Sequence, residues 1–246
     1  MLWYKAWLET RWRFLLCLAG LLVFCVFFVI YRGTGDDFQR LPSWAFSARN
    51  QRVMLFMAHQ YLVLWWTVAA MLLAMGGLLR EKALGLSSFT LALPATRARI
   101  VLSRIGLGMA EAVVLAIVPF LAIMAVLYLY LREPVPFQYL CFLMLALLGG
   151  GLLLFALAIL ISSLVEGEYT APAAALGMVF VMFFVGNVVE RLQPYSIPRF
   201  MALRGYIDTN TWQILTPFPW MMLAVCLLAT VVLMSISVWV IGRRDF

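Results

Sequence analysis

Six long apolar stretches separated by polar segments set the pattern of this chain. They run about Phe14 to Tyr31, Val53 to Leu79, Ile105 to Leu131, Phe137 to Leu164, Tyr169 to Val189 and Trp220 to Ile241. At about 1.5 Å of rise per residue, helices of these lengths can cross a hydrocarbon core about 30 Å thick. The pattern predicts an all-α integral membrane protein of six transmembrane helices, a single domain over residues 1–246. An even number of crossings puts both termini on one side. Ahead of the first stretch, Trp3, Tyr4, Trp7 and Leu8 share a helical face with Trp12 close by, while Lys5, Glu9 and Arg13 take the other. This predicts an N-terminal interfacial helix in the headgroup layer, where tryptophan is favoured. The segment is too aromatic, and the apolar run too long, for a cleaved signal peptide.

The punctuation within and between the stretches predicts how they pack. Gly76-Gly77, the run Gly106, Gly108, Ala110 and Ala112, and Gly149-Gly150-Gly151 at the middle of the fourth stretch are small residues that let helices approach closely, the last run serving either as a packing surface or as a flexible point. Arg132-Glu133-Pro134-Val135-Pro136 is a tight turn, making the third and fourth helices antiparallel neighbours, and Glu166-Gly167-Glu168 is a short acidic turn. Glu190 to Pro219 is broken by Pro194, Pro198, Pro217 and Pro219, yet Phe200, Met201, Leu203, Tyr206 and Ile207 are too apolar for a free loop. They predict a short surface or re-entrant helix, the latter allowed only where protein or water satisfies its ends.

Composition agrees with this pattern: of 246 residues 65% are hydrophobic and 12% charged, against about half and a quarter in soluble domains. The net charge of +7 would suggest nucleic acid in a soluble chain. Here arginines at the ends of apolar stretches explain it as headgroup and topology anchors, and no nucleic-acid partner is expected. Basic residues slightly favour the side of the termini, which points to cytoplasmic termini. Cys17, Cys25, Cys141 and Cys226 fall inside apolar stretches and read as buried free thiols.

Candidate chemistry is sparse. The chain has no G-x-x-x-x-G-K-[ST] phosphate loop, no G-x-S-x-G elbow and no H-E-x-x-H helix. Its single histidine, His59, argues against a zinc site or a histidine-based triad, and fits a helix–helix hydrogen bond. Ser162-Ser163 has no nearby base and reads as helix serines bonding back to backbone carbonyls. Tyr61, Trp65 and Trp66 read as packing residues. Glu111 is the most provocative residue, an acid inside an apolar stretch. It either lines a substrate path or relays a proton, or it reaches a polar partner such as a helix-end arginine.

Arg80 to Arg104 is the longest structured polar interruption, reading REKALGLSSFTLALPATRARIVLSR. Charges at both ends (Arg80, Glu81, Lys82; Arg97, Arg99, Arg104) enclose apolar positions at helical spacing that stop at Pro94. It is either an ordinary basic loop or a surface helix on which a soluble partner docks. Leu79-Arg80-Glu81-Lys82, then Gly85, then Phe89-Thr90-Leu91-Ala92-Leu93-Pro94, then Arg97, Ile100 and Arg104 resembles the intracellular segment of ABC-2 type transporter permeases. The motif covers about a tenth of the chain. The wider layout, with its interfacial helix, six spans and helical excursion between the last two, is also similar. One departure is Leu86, where the family commonly carries a small polar residue, often threonine, after the glycine.

That resemblance implies a type V exporter-like permease fold in a bacterial cytoplasmic (inner) membrane, whose short helix seats in a separate ATP-binding cassette subunit. Glu81, Lys82, Gly85, Ser88, Phe89, Leu91 and Arg97 would then contact the ATPase. ATP and Mg would be bound by that partner, with no cofactor and no catalytic activity in this chain. A second copy or a related permease would complete a dimer, and membrane lipids would surround it. Two other functions fit the same residues: an integral membrane enzyme acting on lipids, and a non-transporting anchor for a soluble complex.

Overall fold

A computed structural model describes residues 2–33, 61–74, 97–126, 128–129, 137–165, 170–188, 193, 195–203, 206 and 218–243. These form seven helices: α1 (Leu2–Gly33), α2 (Val63–Ala74), α3 (Arg97–Val126), α4 (Phe137–Leu164), α5 (Thr170–Val188), α6 (Ile197–Met201) and α7 (Trp220–Arg243). Among the described residues there is no strand. Helices α1, α3, α4 and α7 are long and apolar enough to cross a membrane, while α2 and the apolar part of α5 are shorter within the described residues. The protein is therefore an all-α membrane protein.

The expected helix boundaries of α4 and α7 agree with the structure closely, because polar residues and prolines bracket them. The N-terminus differs. The segment expected to lie apart as an interfacial helix continues into the first apolar stretch as one uninterrupted α1. The reason is local: Leu2 to Ala19 contains neither glycine nor proline, so nothing releases the backbone at Arg13–Phe14.

Side-chain contacts fix the relative directions of α1, α3, α4 and α7. Trp3 lies over Gly106 and Thr10 meets Glu111, so α1 and α3 run parallel. The ring of Phe24 meets both Tyr61 and Trp65, which places the start of α2 beside the second half of α1. Gly108 faces Phe155, as far before the end of α3 as Phe155 lies after the start of α4. Those two helices thus form the expected antiparallel pair. Phe142 touches Phe218 and Trp220 and Gly149 touches Leu223, so α4 and α7 are parallel. It follows that α1 begins, and α7 ends, on the same face of the bundle.

Helix α4 is the axis of the fold. Of its apolar stretch 61% is buried, against 17% for α1 and 22% for α7. The outer helices bury a single stripe each; in α7 this is Leu223, Cys226, Thr230, Met234 and Ser237. Spacings of three and four residues align such positions on one side of a helix. The remaining faces carry exposed Leu, Val and Phe, as surfaces bathed in lipid do. Cys25 and Cys226 are buried and Cys17 and Cys141 half-buried, all four free.

The three glycines of α4 serve packing, and each accommodates a different neighbour. A Cβ on Gly149 would meet Leu223 of α7, on Gly150 Met201 of α6, and on Gly151 the Trp66 ring of α2. Successive helix residues point about 100° apart, so three adjacent glycines open three sides at one level. Through that opening α6 reaches the midpoint of α4. Its residues Pro198, Phe200 and Met201 are buried, as are Ala202 and Leu203 after it. The element expected as a surface or re-entrant helix is therefore inserted, spans Ile197–Met201, and stops short of Tyr206.

The inserted turn satisfies its own backbone, as insertion among apolar helices demands. Pro198 lies in the first turn, where a missing N–H costs nothing. The N–H groups of Phe200, Ala202 and Leu203 donate to the carbonyls of Ser196, Pro198 and Phe200. Leu203 adopts φ 51°, the one left-handed non-glycine residue among those described. That conformation costs a leucine about 1–2 kcal/mol, and its nearly complete burial offsets the strain. Phe142, Phe200, Phe218 and Trp220 close over the turn as an aromatic cluster.

Candidate functional site

Among the described residues the buried polar side chains are Thr67, Ser103, Glu111, Ser163, Thr230 and Ser237, and the one carboxylate of this set, Glu111, lies in the seam between α1 and α3. On α1 the buried positions are Ala6, Phe14, Leu21 and Cys25, with Thr10 and Cys17 half-buried between them. The spacing is that of one helical stripe, so Thr10 is carried into the seam by its apolar neighbours. On α3 the facing stripe includes Ile100, Ser103, Glu111, Ala112, Leu115 and Ala116. Gly106 brings α1 and α3 close there, with the Trp3 ring filling the space a side chain would take, while Gly108 admits Phe155 of α4 on another side of α3.

Two polar contacts join the helices. Arg104 Nη2 donates to Glu9 Oε2 at 2.7 Å, and Lys5, one turn before Glu9, stands 3.9 Å from its other oxygen. Seven residues further along α3, on the same face, Glu111 is only 3% exposed. Its Oε1 accepts a hydrogen bond from the Thr10 hydroxyl at 2.5 Å, and its Oε2 is buried without a hydrogen-bond partner among the described residues. Thr10 also reaches the carbonyl of Ala6 at 3.3 Å. The polar partner expected for Glu111 therefore exists, but it is a threonine of another helix. The helix-end arginine is engaged by Glu9 instead.

The other expected positions divide sharply. Glu81, Lys82, Gly85, Ser88, Phe89 and Leu91 lie outside the described residues, as do His59, Gly76-Gly77 and the two turns at 132–136 and 166–168. Arg97 opens helix α3, so the Arg80–Arg104 stretch leads directly into the helix that carries Arg104 and Glu111. Ser163 donates to the carbonyl of Leu160 at 2.7 Å, the expected back-bond of a helix serine. Trp66 is core, whereas Tyr61 and Trp65 are partly exposed beside Phe24. Sequence reasoning missed Glu9 and Thr10 as the partners of Arg104 and Glu111. The available signal was the stripe Ala6, Thr10, Phe14, Cys17, Leu21, which puts a hydroxyl on the packed face.

The arrangement fixes two helices to one another. Among the described residues no three His, Cys, Asp or Glu side chains gather to hold a metal ion. What the seam can do is transmit displacement, because a push on the start of α3 acts on α1 through Arg104–Glu9 and Glu111–Thr10. A scan against models of protein families finds no match to this chain, and a search of curated proteins finds no significant one.

Proposed function

We propose that the chain is the membrane-spanning permease subunit of an ATP-driven exporter, with six crossings in a bacterial cytoplasmic membrane and both termini cytoplasmic. The Arg80–Arg104 stretch docks a separate ATP-binding cassette subunit through Glu81, Lys82, Gly85, Ser88, Phe89, Leu91 and Arg97. That subunit supplies ATP and Mg. Two permeases, identical or related, enclose the pathway. The observation that most supports this reading is the tie at the exit of the stretch: Arg104, its last residue, pairs with Glu9, and Glu111 takes the Thr10 hydroxyl beyond it. A force applied to the docking stretch would therefore move α1 and α3 together as a unit. A loop that only linked two helices would have no need of such bracing. In this mechanism Glu111 is a positioning residue between two helices.

The test is purification of the tagged chain from its native cells in mild detergent, with mass spectrometry of the proteins that remain bound. Recovery of an ATPase bearing a phosphate loop, lost when Glu81, Phe89 and Arg97 are replaced together, supports the docking role. A chain recovered alone, or with partners lacking a nucleotide site, overturns it and leaves the lipid-enzyme and anchor functions.

A further inference from the structure

Two arginines on the terminal face differ from those of the α1–α3 seam. Arg11 stands 5.6 Å from the ring centroid of Trp12, and Arg243 stands 4.2 Å from that of Trp239. Both indoles are turned outward, Trp12 66% and Trp239 57% exposed. Neither arginine has a carboxylate partner among the described residues, whereas Arg104 and Lys5 both meet Glu9. A guanidinium over an indole can turn its terminal N–H groups toward a planar or tetrahedral oxyanion; in Arg11 these are the Nη groups, because its Nε is buried.

The two pairs share one level of the membrane. Helices α1 and α7 are antiparallel, so the beginning of one and the end of the other meet the same interface. On α1 the charge-free run begins at Phe14, directly after Arg13, and extends to Tyr31, about 27 Å. On α7 the charge-free run extends from Trp220 to Gly242, about 35 Å, and ends at Arg243, with Trp239 one turn before it. Measured from either helix, the boundary between hydrocarbon and headgroups passes beside Trp12 and Trp239, at the depth of lipid phosphates.

We infer that Arg11–Trp12 and Arg243–Trp239 are two binding sites for the phosphate groups of anionic phospholipids on the terminal face of the membrane. The indole rests in the boundary layer while the guanidinium grips the phosphate. The lipid's acyl chains then run down the exposed apolar faces of α1 (Leu15, Leu16, Val23) and α7 (Ile236, Val232, Leu228). Net charge selects anionic over zwitterionic headgroups, and the adjoining apolar faces select a lipid over a free anion. The inference is independent of the transport function.

The test is native mass spectrometry of the purified full chain in detergent, offered equal amounts of phosphatidylglycerol and phosphatidylcholine. The wild type should retain phosphatidylglycerol preferentially. Arg11→Gln/Arg243→Gln should lower that retention about fivefold for each arginine removed and leave phosphatidylcholine unchanged. Arg199→Gln, on the inserted helix α6, should change neither. Inorganic phosphate added in excess should not displace the lipid. Equal retention of the two lipids by the wild type, no loss in the double variant, or an equal loss in Arg199→Gln overturns the inference. Displacement by inorganic phosphate makes these anion sites and overturns the lipid assignment. Should the double variant not elute as a folded species, Arg243→Gln alone, altered at the exposed last turn of α7, reads the same ratio.

Discussion

The α1–α3 seam and the glycine opening of α4 both hold helices together by close packing, Trp3 over Gly106 in the one and Trp66, Met201 and Leu223 against glycines in the other, but the seam adds charged contacts that the opening lacks. The seam adds a charge pair between two long side chains and a hydrogen bond from the Thr10 hydroxyl to the Glu111 carboxyl. The opening joins three helices to a fourth by contact of rigid or fully enclosed groups, with Trp66, Met201 and Leu223 occupying space that glycine leaves. Hydrophobic transfer contributes little between helices already surrounded by lipid, so close packing and hydrogen bonds decide association. Close packing at the opening is therefore expected to contribute more to the stability of the bundle than the polar contacts of the seam. The seam, adjustable by side-chain rotation, sets which helices move together.

Filling the opening is the harshest way to test that division. Gly151→Leu places a branched side chain where the Trp66 ring lies, and the ring is wedged between helices. Destabilisation of about 3 kcal/mol or more is expected, read as the shift in unfolding midpoint of the purified chain in detergent titrated with a denaturing surfactant. Changing Trp66 to Leu in the same chain should recover part of the loss, and absence of any recovery would show that the two side chains do not meet as described. Next in size is Met201→Ala, which empties the contact with Gly150. In a soluble core the loss would be about 2–5 kcal/mol. Here about 2 kcal/mol is expected, because the lost transfer term is small in lipid. An unchanged midpoint would mean that α6 does not insert.

How much of this was legible in the sequence differs between the two regions for a physical reason. The opening was half visible, since Gly149-Gly150-Gly151 announces close packing and the apolar residues around Phe200 demand cover. What the sequence did not contain is that the two needs meet each other, because that pairing depends on the fold of a segment some fifty residues away. The seam was less visible. Glu111 stands out in any apolar stretch, and Arg104 is the natural partner by charge, lying on its own face of α3. The actual partner, Thr10, belongs to a segment whose charges and tryptophans signal a helix in the headgroup layer. Continuity of α1 overrides that signal locally: the same residues that suit an interface also extend a helix whose inner stripe packs on α3. Six apolar stretches and an all-helical membrane fold follow directly from hydropathy, since backbone groups in lipid must bond within their own helix.

Smaller effects are expected along the seam. Glu111→Gln keeps the acceptor for Thr10 and should leave the unfolding midpoint within about 0.5 kcal/mol of the wild type. Glu111→Leu removes the acceptor together with the unpartnered Oε2, and Thr10 can return to the carbonyl of Ala6. The net change should stay within about 1 kcal/mol, because exchanging an incompletely satisfied buried polar group for an apolar one of similar size is close to neutral. A loss as large as that from Met201→Ala would put the seam and the opening on the same footing and end the distinction drawn between them.

The smallest effect, and the one that separates the two regions most cleanly, is the coupling between Glu9 and Arg104. Both side chains are partly open to solvent, 38% and 17% exposed, so the pair belongs with surface ion pairs, whose contribution is about 0.2–1 kcal/mol. A double-mutant cycle with Glu9→Gln and Arg104→Gln should give a coupling energy in that range. Lys5 shares Glu9 with Arg104, so the single change at Arg104 leaves part of the charge balance intact and the cycle is needed to isolate the pair. Raising the ionic strength from 0.1 M to 1 M shortens the screening length from about 10 Å to about 3 Å, and the coupling should shrink with it. A matching cycle between Gly151 and Trp66 should be indifferent to salt, since nothing in that contact is charged. If salt moved both cycles alike, its action would be on the whole bundle and the seam would have no separate electrostatic hold. If it moves only the first, the link between α1 and α3 can be loosened while the glycine packing stays intact, which a helix pair that transmits motion through a stable bundle requires.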